Sequence, residues 1–97
     1  MDSKALRDSV SAKQPPPALG MALQALWWDA KGDWDKAHGC AQEQDDAAGA
    51  WVHAYLHRKE GDAGNAGYWY RRAGKAPATS SLAQEWEAIA RALLEGE

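Results

Sequence analysis

The chain has 97 residues, a formal charge of −3, six Trp, three Tyr, no Phe and a single Cys. That length sets one domain with a small, dense core; the acidic balance disfavours nucleic acid, and one Cys excludes an internal disulfide. No run approaches the roughly 18 apolar residues of a membrane span, and residues 1–13 lack the apolar stretch of a secretory signal, so the expectation is a cytoplasmic protein away from membranes.

The composition points to helices. Ala, Leu, Glu, Lys, Gln and Arg dominate the non-aromatic positions, and Val and Ile together number three, which argues against a sheet. Residues 1–17 read as a flexible or loosely docked arm. Leu6 and Val10 are its sizeable apolar residues besides Met1, and Pro15, Pro16 and Pro17 force an extended stretch. The domain proper spans residues 18–97. Its first expected helix, over residues 18–31, carries Leu19, Ala22, Leu23, Leu26, Trp27 and Ala30 at spacings of three and four. Gly32-Asp33 breaks it, and a second helix follows over residues 34–44. Asp45 or Asp46 then caps a third over residues 47–60. Gly61-Asp62 ends that helix, and a fourth runs over residues 63–73, with Gly74 as its left-handed stop and Pro77 beyond. Ser81 and Gln84 form a capping box for a last helix with Leu82, Trp86, Ile89, Ala90 and Leu93 as its stripe. This helix is expected to close over the second half of the domain.

The two Gly-Asp pairs lie 29 residues apart, each followed by Ala four positions after the Asp. Gly permits a left-handed turn, Asp caps the next helix, and a small Ala lets two helices approach closely. Gly61, Asp62, Ala66, Tyr70, Ala73 and Pro77, with Gly32, Asp33, Trp34 and Ala37 in the first half, resemble the tetratricopeptide and Sel1-type helical repeats over residues 18–77. The resemblance implies two antiparallel helix–turn–helix repeats plus a C-terminal capping helix, about five helices in a small bundle or short solenoid. It also implies protein or peptide binding. The stretches 51–62 and 68–74 look like an uncharacterised family of small proteins, a likeness that implies no activity.

Function is less legible. No phosphate loop, nucleophile–base pair or Cys/His zinc spacing is present, and no cofactor is expected. His53 and His57 are spaced i, i+4 with Glu60 three further on, which puts two imidazoles and a carboxylate on one helix face, a candidate metal site. Ala54 replaces the Glu of the His-Glu-x-x-His pattern, and the plain alternative is two rings bordering an aromatic core and hydrogen-bonding locally. His38 joins them only if its helix turns that way. Cys40 lacks a nearby base and reads as a small buried thiol. Among adjacent aromatics, Trp28 and Tyr68 are expected at the surface. Charge is polarised: Asp29, Asp33, Asp35, Glu43, Asp45 and Asp46 make the first half acidic, while Arg58, Lys59, Arg71, Arg72 and Lys75 make the second basic. The leading expectation is therefore a non-enzymatic interaction module. Its partner is a protein or peptide, acidic in character, held by Trp28, Arg58, Tyr68, Arg71, Arg72 and Lys75. The alternatives are a metal-binding protein or enzyme using His53, His57 and Glu60, and a structural subunit of a homo-oligomer.

Overall fold

A computed structural model describes residues 1–96. The chain is all-helical. Six α-helices follow one another as α1 (Ser3–Asp8), α2 (Met21–Lys31), α3 (Trp34–Glu43), α4 (Ala47–Glu60), α5 (Ala63–Ala73) and α6 (Leu82–Leu94), with a 3₁₀ turn over Ser9–Ser11 after α1. No strand occurs among the described residues.

The hinges form for the reasons their residues supply. Gly32 and Gly61 both take the left-handed conformation, with φ of 95° and 91°. Asp33 then accepts from the Lys36 N–H, and Asp62 from the Asn65 N–H. At each hinge the Asp backbone N–H also reaches back five residues, to the carbonyls of Trp28 and His57. The two turns thus share one local geometry. Asp46 caps α4 through the Gly49 N–H, and Ser81 and Gln84 close a complete capping box on α6. Helix α2 begins at Met21, and not near residue 18: Gly20 offers no side-chain cap. Gln44, from the α3–α4 loop, supplies an acceptor instead, its Oε1 taking the Ala22 N–H at 2.7 Å.

Helix α4 is the centre of the molecule, packed against α2, α3, α5 and α6. The main core joins Leu26, Trp27, Val52, Leu56, Trp86 and Ile89, while Ala54, Ala66 and Tyr70 form a smaller cluster under α5. Three tryptophans tie their indole N–H groups to polar partners: buried Trp27 donates to the Ser9 hydroxyl, half-buried Trp34 to the Leu56 carbonyl and buried Trp86 to the Leu26 carbonyl. The N-terminal segment contributes more than its composition promises. Leu6 is fully buried in the main core, and Lys31 holds the carbonyls of Val10 and Ala12. Helix α6 lies on α1, α2 and α4, and meets α5 through the bond from the Tyr70 hydroxyl to Glu85. It therefore covers the junction of the two halves, and not the second half alone.

Candidate metal centre

Three helices build one polar-aromatic cluster. Helix α3 contributes Trp34 and His38, one turn apart; α4 contributes His53 and His57, also one turn apart; α5 contributes Trp69. Because α3 and α5 flank α4, the i, i+4 histidines of α4 face a third imidazole from α3. One ring nitrogen from each of His38, His53 and His57 lies within 4.8 Å of the others. The His53 and His38 Nε2 atoms are 2.9 Å apart, a hydrogen bond in which one ring donates and the other accepts. His57 Nδ1 meets Glu60 Oε1 at 2.6 Å, which leaves Nε2 as its other ligating nitrogen.

Aromatic rings fix the imidazole planes. Trp34 stacks on His38 at 4.8 Å and 11°, and Trp69 stacks on His53 at 3.9 Å and 14°. The His53 and His57 rings are themselves stacked at 4.8 Å. This packing leaves His53 only 3% exposed. Burial, then the proximity of His38 and His57, holds its pKa down to about 4. His38 is also lowered, first by burial and then by His57. Both causes favour neutral rings, the form that ligates a metal.

The depressed His53 pKa has a stability consequence. In the unfolded chain this imidazole takes up a proton near pH 6.5, whereas in the fold it resists protonation until about pH 4. Between those values the unfolded state binds more protons, so stability is full above about pH 6.5 and declines as pH falls. The decline is on the order of 3 kcal/mol at most. Denaturant unfolding of metal-free protein in a chelator across pH 4–7 measures it, and His53→Phe is expected to flatten the slope.

The residues proposed from sequence for a basic-aromatic face do not all come together. Tyr68 is 44% exposed and Arg71 and Arg72 are exposed. Trp28 is buried, 8% exposed, with its edge against Trp27 and the Lys36 ammonium over its ring; the expectation of a surface Trp28 is therefore corrected, because α3 folds back over that side of α2. Arg58 turns inward, donating to Glu85 at 2.8 Å and to the Ser80 carbonyl. Lys75 lies over the Trp51 ring at 4.2 Å. The charge polarity along the chain is partly spent inside the molecule, since Asp29 pairs with Lys59 and Asp45 with Arg72. Cys40 is half-buried, its thiol pKa pushed up by burial and then Glu43, so it is no reactive thiolate.

Sequence spacing found His53, His57 and Glu60 but could only make His38 conditional, since two helices meet there. Trp34 and Trp69 had no separate signal. Compared with known proteins, the chain matches no family model, no curated protein and no solved structure.

Proposed function

We propose that this protein binds a divalent transition-metal ion through the imidazoles of His38, His53 and His57. The observation that carries the reading is their convergence from two helices to within 4.8 Å, with the ring planes already set by packing. In a tetrahedral centre with metal–nitrogen bonds of about 2.0–2.1 Å, ligand nitrogens stand roughly 3.3 Å apart. The His38–His53 pair at 2.9 Å needs only a few tenths of an ångström to reach that spacing. Glu60 on His57 Nδ1 is the carboxylate–histidine arrangement that orients a ligand ring and raises its basicity. A three-imidazole set suits zinc, copper, nickel or iron and leaves a fourth position to an outside ligand.

Zinc titration of the full chain near pH 7.5, read by calorimetry and thermal shift, tests this. Wild type is expected to bind one zinc with a dissociation constant in the micromolar range or tighter. At one hundred times that concentration the ion adds about 2.7 kcal/mol to stability. His38→Ala, His53→Ala and His57→Ala each weaken binding by at least about 100-fold, and Glu60→Gln by about 10- to 100-fold; circular dichroism checks that each variant is folded. A wild type that takes up no zinc, copper, nickel or cobalt at millimolar metal overturns the reading, and an unaffected His38→Ala overturns the triad.

A second reading, docking of an acidic peptide, is favoured by the exposure of Tyr68 beside Arg71 and Arg72. It requires binding that weakens with salt and is lost in Arg71→Glu/Arg72→Glu.

A further inference from the structure

A cleft of ≈ 350 Å³ opens beside the triad, floored by the first half of α4 and walled by the end of α3 and by α5. Of the three histidines His53 lines it, together with Trp69, Arg72, Asp45, Asp46 and Ala50. Trp69 joins its two ends: the indole stacks on His53 at 3.9 Å and carries the Arg72 guanidinium at 5.1 Å from its ring centre. A cation and a metal-ligating ring therefore share one aromatic wall.

Arg72 is held loosely. It reaches the Tyr68 hydroxyl at 3.4 Å and Asp45 at 3.5 Å, both at the outer limit of a hydrogen bond, and its side chain is 48% exposed. Arg58, in the same molecule, meets Glu85 at 2.8 Å. Asp45 is itself 91% exposed, so its contact with Arg72 is readily given up to water or to a better partner. A guanidinium whose donors are this weakly engaged retains the fork that recognises an oxyanion in bidentate fashion.

We infer that the cleft takes a small organic carboxylate, held between Arg72 and the outside position of the metal bound by His38, His53 and His57. This rests on the metal-binding reading above. The carboxylate class follows from the walls. Among the described residues Arg72 is the cleft's one cation and Asp45 and Asp46 are its carboxylates; a divalent ion on the triad leaves a single net positive charge there, which suits a monoanion better than a phosphate dianion. Trp69 and Ala50 offer apolar surface to an organic body, and the volume sits at the lower end of small-molecule sites.

The experiment uses cobalt-loaded full-length protein, with benzoate as probe and inorganic phosphate as comparison. Binding is read in the cobalt visible bands and by calorimetry. Benzoate is expected to shift the cobalt bands, to bind the metal-free protein at least tenfold more weakly, and to outcompete phosphate. Arg72→Gln is expected to weaken benzoate at least tenfold while leaving cobalt affinity within twofold of wild type. Bands that do not respond to benzoate, an Arg72→Gln variant that binds benzoate as wild type does, or phosphate binding more tightly than benzoate overturns the inference and leaves the triad standing. Failure of wild type to bind cobalt, zinc, nickel or copper overturns both.

Discussion

Arg58→Met is expected to cost about 3 kcal/mol of folding stability, among the largest losses for a change at a partly exposed side chain. Its partner Glu85 is 3% exposed, and both carboxylate oxygens are engaged: Oε1 by Arg58 at 2.8 Å and Oε2 by the Tyr70 hydroxyl at 2.5 Å. Burial and this bond push the Tyr70 hydroxyl pKa up, keeping the phenol a donor. Removing Arg58 leaves a buried negative charge with one neutral partner, and also strips the donor from the Ser80 carbonyl in the α5–α6 connection. Losing one member of a buried pair costs far more than the intact pair contributes. Arg58→Met/Glu85→Gln should therefore regain most of the loss, because a neutral amide still accepts from Tyr70. Urea unfolding of the two single variants and the double variant closes the cycle. A loss below about 1 kcal/mol in Arg58→Met would show that water solvates Glu85 as well as the guanidinium does.

Gly49→Ala is the second. A Cβ at position 49 would stand 1.9 Å from the backbone oxygen of Gln44 and 2.9 Å from its carbonyl carbon. Backbone cannot rotate away as a side-chain tip can, so the α3–α4 loop must move. Gln44 is costly to move. Its Oε1 caps Ala22 on α2, its Nε2 donates to Asp46, and its carbonyl accepts the Asp46 N–H. The variant is expected to lose at least about 2 kcal/mol through overpacking and weakened caps on two helices. Gly39→Ala is the control. Gly39 lies in α3 with nothing within 4 Å of its added Cβ, so alanine there should stabilise by about 0.5–1 kcal/mol. Equal midpoints for the two variants in denaturant would contradict this account of Gly49. Gln44 and Asp46 also line the cleft beside His53, so Gly49→Ala is expected to weaken a cleft ligand more than it weakens metal.

Local chemistry was legible along the chain wherever cause and effect lie within about five residues. Gly32 and Gly61 take positive φ, Asp33 and Asp62 cap the following helices, Asp46 of the two candidates Asp45 and Asp46 caps α4, and Ser81 with Gln84 boxes α6. The all-helical class followed from composition and the stripe spacing in the same way. The pair His53 and His57, with Glu60, was visible because one turn of helix sets their separation.

Only the tertiary structure decided which face of each helix meets which neighbour. His38 joins the pair because α3 returns alongside α4. Trp28 is covered by that same return, and Arg58 points at α6 instead of solvent because Glu85 waits there. Leu6 is core because α1 docks, although its own segment carries too few apolar residues to announce it. Gly49 gave no sequence signal at all, since its reason is a carbonyl on a different segment. The physical cause is common to all five. Caps and turns are set by bonds the chain makes to itself nearby, whereas partners across helices depend on crossing geometry that emerges when all six helices pack together.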